Sequence, residues 1–174
     1  MKLDELPSPP SLSPTASPPP SVEQLLARPP AERAREFRYR FAQSLVFGLP
    51  VMALHWFGPA LGGAEAPKWM GLFQSLLGGW VIYVAAAGMI FEGALLVARG
   101  RVTLDFVVAA VAAIVYLVGV AGWLSLLIRG GASRLPMPFH YSVILLAAWC
   151  GLRWASLAQS RTTAAPPAKE QSDR

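Results

Sequence analysis

The chain has 174 residues, 54% of them hydrophobic and 14% charged, with a mean hydropathy of +0.43. A soluble domain carries about a quarter charged residues, and the deficit here falls after Phe41, which excludes an ordinary water-soluble globule. The formal charge of +5 does not argue for nucleic acid, because the arginines flank apolar segments and form no patch interleaved with aromatics.

Residues 1–20 read MKLDELPSPPSLSPTASPPP. Almost no large apolar side chain is present to offset ordering entropy, so a disordered Pro/Ser-rich tail is expected over residues 1–30. The tail has no basic start leading into an apolar core, so no signal peptide is expected. It could also dock extended along a partner, which a proline-rich chain does at low entropy cost. Inside it, Ser21 and Gln24 have capping-box spacing and open a short turn, Val22 to Ala27, that Pro29 and Pro30 end.

Residues 31–40 form a basic segment in which Arg33, Arg35, Arg38 and Arg40 lie beside Phe37 and Tyr39. That composition suits an interfacial helix at the level of the lipid headgroups. A four-helix transmembrane domain is expected over 41–158. The first span runs from about Phe41 to Phe57 or Leu61, with a kink expected near Pro50. Trp69 opens the second span, which at Trp69 to Ala98 exceeds what a bilayer needs and must tilt, bend or protrude. Gly78-Gly79 is one candidate bend, and the end near Glu92 to Arg99 is another. Arg99 and Arg101 lie in a tight polar turn, so the second and third spans are antiparallel.

Thr103-Leu104-Asp105 opens the third span with N-cap chemistry and a carboxylate at the positive helix end. Small residues mark the packing faces: Ser75 with Gly79 on the second span, Ala109 with Ala113 and Gly119 with Gly122 on the third. Pro136 and Pro138 precede the last span, about Phe139 to Leu157, and residues 159–174 form a polar tail. Cys150 is the only cysteine, which excludes an intrachain disulfide and a cysteine-based zinc site. The basic residues fall mainly before the first span, in the 99–101 turn and after the last span. The positive-inside rule therefore places both termini in the cytoplasm of a bacterial inner membrane.

Two polar constellations are candidates for chemistry. Met52-x-x-His55 and Met137-x-x-His140 lie at the outer ends of the first and last spans, each methionine one turn before its histidine. Thioether and imidazole together would suit copper, and two facing histidines could ligate a haem or chlorin. Pro138 interrupts the second pair, however, and both residue types are ordinary near an interface. Glu92 is an intramembrane acid about two turns inside the end of the second span, a functional candidate by default. It could equally pair with Arg99 or Arg153. Asp105 reads more simply as a helix cap. There is no nucleophile–base set, no paired carboxylates and no phosphate loop, so no enzyme activity, cofactor or ATP site is expected.

The order of these features resembles the membrane domain of heavy-metal-transporting P-type ATPases. Arg38-Tyr-Arg-Phe leading through Leu49-Pro50-Val51 is similar to the basic start of that family's first helix. Phe91-Glu-Gly-Ala94, then Arg99-Gly-Arg101 and Thr103-Leu-Asp105, resembles the end of its second helix and the opening of its third. Gly151-Leu-Arg-Trp154 with Arg161-Thr162 is similar to the end of its fourth. The resemblance covers roughly residues 35–165. The sequence departs from the pattern in having no Thr-Gly-Glu loop, no Asp-Lys-Thr-Gly phosphorylation motif and no Cys-Pro-Cys site. Ala85-Ala86-Ala87-Gly88 stands where the family has a double glycine. Leu104 and Ala155 replace a methionine and a glutamate. Without a phosphorylatable aspartate, ATP-driven transport is not possible for this chain alone. The resemblance implies a relic of the membrane domain, kept for its shape. The leading expectation is a non-catalytic accessory subunit among other integral-membrane subunits in a respiratory or photosynthetic complex. The alternative is a metal-handling membrane protein.

Overall fold

A computed structural model describes residues 21–62, 66–129 and 137–164. Of the tails expected over 1–30 and 159–174, residues 1–20 and 165–174 lie outside the described residues, as do 63–65 and 130–136, whereas 22–27 and 159–164 are helical. Every element within them is helical. Four helices are long and apolar enough to cross a membrane: Pro30–Gly58, Lys68–Val97, Leu104–Arg129 and Phe139–Ser160.

Helix α1 (Val22–Ala27) carries the capping box read from the sequence: Gln24 N donates to Ser21 Oγ at 3.3 Å, and Ser21 N donates to Gln24 Oε1 at 3.0 Å. Helix α2 (Pro30–Gly62) begins at a proline, whose missing N–H costs nothing in a first turn. It then continues for 33 residues. The boundary expected near residue 41 is therefore absent as a break, because AERAREFRYRF has no helix-stopping residue and the interfacial part runs straight into the span. Nor does Pro50 interrupt the helix.

Helix α3 (Ala66–Val81) passes through a π-helical turn, Ile82–Ala86, into α4 (Ala87–Val97). The irregularity thus falls just after Gly78-Gly79, not on it. The glycines instead receive Tyr116 of the neighbouring helix, which a Cβ at Gly79 would meet 2.7 Å from its hydroxyl. The wide turn is built from Ile82, Tyr83, Val84, Ala85 and Ala86, and it buries Ala85 and Ala86.

The 98–103 turn closes in a Schellman arrangement. Arg101 N donates to Leu96 O at 3.0 Å, Gly100 N to Val97 O at 2.8 Å, and Gly100 takes φ +73°, a conformation that costs glycine little. Helix α5 (Leu104–Arg129) is capped by Thr103, whose Oγ1 accepts from Phe106 N at 3.3 Å. Helix α6 (Phe139–Ala164) completes the chain.

The four spans form a ring in which α2 packs on α3 and α6, and α5 packs on α3, α4 and α6. Phe139, Leu146, Val51, Val81 and Cys150 are the largest apolar side chains with no exposed surface to speak of, and Ala86, Ala109 and Ala112 pack among them. Large apolar side chains such as Trp80, Tyr83, Ile114 and Leu117 point outward instead. In water such a surface is an aggregation hazard, whereas in lipid it matches its solvent.

Besides Trp80 and Tyr83 along the second span, exposed aromatics lie toward both ends of the bundle. Tyr39 and Phe91 lie at one end, and Trp56, Phe57, Trp69 and Tyr141 at the other. Along α2, Tyr39 and Trp56 are roughly 26 Å apart at 1.5 Å per residue, close to a hydrocarbon core of about 30 Å.

Candidate functional site

The arginine-rich start of α2 meets α4, α5 and α6 around a cavity of about 270 Å³ at one end of the bundle. Arg28, just before α2, is placed there by the Pro29-Pro30 corner. Its Nη1 lies 2.9 Å from Glu92 Oε1 on α4 and 3.5 Å from Glu36 Oε2 on α2. Glu36 also holds Arg40 one turn on, and Arg40 is buried. On the far wall, Asp105 accepts from Arg153 twice, at 3.0 Å from Nε and 3.1 Å from Nη2, and from Trp149 Nε1 at 2.9 Å. The Phe37 ring joins the two halves, with the guanidinium carbons of Arg40 and Arg153 each 5.6 Å from its centroid.

Each of the three carboxylates lining this cavity is held by an arginine. Residues from α2, α4, α5 and α6 contribute, so the network ties the spans together at this end of the bundle. Glu92 accepts through Oε1 alone and, like Glu36, keeps about a third of its side chain exposed, so these acids are paired but not sealed off. Glu92, for which an arginine such as Arg99 or Arg153 was one candidate partner, pairs with Arg28. Asp105 is more than a cap: it is the partner of Arg153. Neither long-range pairing carries a local spacing signal, since Arg28 and Glu92 are 64 residues apart and Asp105 and Arg153 are 48 apart.

At the other end, His55 and His140 do meet. Their ring centroids are 3.7 Å apart with planes inclined by 23°, and His140 also lies 4.0 Å from the Tyr141 ring. His140 Nδ1 is buried without a hydrogen-bond partner. Imidazole lone pairs lie in the ring plane, and a metal sits about 2.0–2.1 Å from each nitrogen. Two face-stacked rings do not converge on such a point, so ligation would require one ring to rotate. Met137 packs against the core and Met52 is half-buried. Among the described residues no group of three or more His, Cys, Asp or Glu side chains is placed to hold a metal.

The small residues act as expected of packing positions. Ser75 is buried, and its carbonyl accepts from the Tyr116 hydroxyl at 2.9 Å. Ala109, Gly119 and Gly122 are buried, and Ala113 is half-buried. A Cβ at Gly119 would lie 2.9 Å from the Phe139 ring. The sequence reading missed that other glycines do the same work: Gly71 receives Trp123, and Gly93 receives Phe106. The Trp123 indole N–H is satisfied by Lys68 O at 3.1 Å. A small-large complementarity of this kind leaves no period in one helix, because its two halves lie on different helices. Comparison with known proteins finds no matching family model, curated protein or solved structure.

Proposed function

We propose that the chain is a non-catalytic accessory subunit that packs beside other integral-membrane subunits in a bacterial inner-membrane complex, with both termini cytoplasmic. The use of charge carries this reading. Glu36, Glu92 and Asp105, acids an ion or substrate pathway would leave open, are each held by arginines and join one helix to another. The bundle is thereby fastened at one end and offers broad apolar faces along its length. A respiratory or photosynthetic assembly is the proposed host. The test is purification from native membranes in mild detergent: the chain should appear in constant ratio with other membrane subunits and without bound metal.

A second reading, metal handling by a relative of P-type ATPase membrane domains, is favoured by the meeting of His55 with His140 and by the orphaned Nδ1. It predicts copper retained by the wild type and lost in the His55→Ala, His140→Ala variant.

A further inference from the structure

The arginines at the start of α2 divide into two sets. Arg28 and Arg40 turn inward and hold carboxylates, as described above. Arg35 and Arg38 are exposed, and neither makes an ion pair or hydrogen bond among the described residues. They sit one turn apart on the same side of α2, where it meets the inner end of α6. Together with Glu32, Trp154 and Ala158 they line a groove of about 540 Å³, within the range of ligand clefts of about 300–1,000 Å³. Trp154, which lines the groove, stacks on Phe41, one turn beyond Arg38 on α2, at a centroid distance of 6.0 Å.

We propose that this groove is a binding site for one anionic phospholipid. Its rim bears two guanidinium groups and the Glu32 carboxylate, a net charge of +1 that one phosphodiester neutralises. Guanidinium is suited to phosphate because its planar fork donates two parallel hydrogen bonds. Arg38 adjoins the exposed Tyr39, and the stacked aromatic pair one turn on is apolar surface for an acyl chain. Juxtamembrane basic clusters attract anionic lipid in general. What distinguishes this pair is the cleft beside it and the absence of an ion pair from either guanidinium to Glu32 or another described carboxylate.

The test is native mass spectrometry of the full-length chain extracted from bilayers of mixed phosphatidylglycerol and phosphatidylcholine. The wild type should retain one phosphatidylglycerol, and the Arg35→Gln, Arg38→Gln variant should bind it roughly thirtyfold more weakly. Arg99→Gln with Arg101→Gln removes the same charge from the same end of the bundle but away from the groove, and should keep the bound lipid. Unchanged helical circular dichroism in both variants shows that the bundle is intact. Equal retention of phosphatidylcholine, undiminished binding by the groove variant, or equal loss in both variants would overturn the assignment.

Discussion

Asp105, in the first turn of α5, accepts from both Nε and Nη2 of Arg153 on α6, so one carboxylate fastens the third span to the fourth. The same carboxylate also accepts from Trp149 Nε1, so its removal strands three N–H donors on two residues. Asp105→Asn should destabilise the detergent-solubilised bundle by about 1–2 kcal/mol, the range for hydrogen bonds to a charged group that water partly screens. A double-mutant cycle of Asp105→Ala with Arg153→Ala, read by denaturant unfolding, should show coupling of about 1 kcal/mol. Strict additivity would show that the pair does not join the helices.

The Arg28–Glu92 pair anchors the short segment preceding α2. A six-residue helix has no independent stability, so α1 depends on that contact and its capping box. Glu92→Gln should raise amide exchange over residues 22–27 by about fivefold while protection within the spans stays unchanged. Faster exchange throughout α4 would instead assign Glu92 to the stability of the span itself.

Glycines should differ according to what they face. Gly119→Ala pushes a methyl into the Phe139 ring, which is fully buried and has nowhere to move, and should cost about 1–3 kcal/mol. At Gly78 the added Cβ would meet Tyr116 at 3.5 Å, an ordinary contact. Gly78→Ala should therefore be neutral or stabilising, by up to about 1 kcal/mol from helix propensity. Thermal unfolding of the two variants side by side decides the ordering.

These contrasts also show which features of the chain were legible as sequence. The four spans were, because a charge-free apolar run of bilayer length is a property of consecutive residues. So were the capping box at Ser21, the Thr103 cap and the small residues at Ser75, Ala109 and Gly119. The π-helical turn at Ile82–Ala86 was not, since the apolar run IYVAA contains no proline or glycine to mark a widened turn. Nor was the choice of Arg28 for Glu92: several arginines lie at one depth, and only the rotation of each helix about its axis selects among them. The pairing of His55 with His140 was foreseen as a juxtaposition. The stacked orientation of the rings was not, and it bears directly on metal binding.

If the histidines serve packing, losing them removes an aromatic contact worth about 0.5–1.5 kcal/mol and no metal. His55→Ala with His140→Ala should lower stability by roughly that amount, with copper content equal to the wild type by elemental analysis. Copper stoichiometric with the wild type and absent from the variant would favour the metal-handling reading.

The account rests most on the proposal that part of the outward apolar surface faces protein in the native membrane. A photoreactive side chain placed in turn at Leu76, Tyr83, Ile114, Leu117 and Leu152, all exposed in the isolated chain, tests this directly. The account predicts discrete adducts with other membrane proteins from a contiguous subset of these positions. Adducts with lipid alone at every position would contradict it.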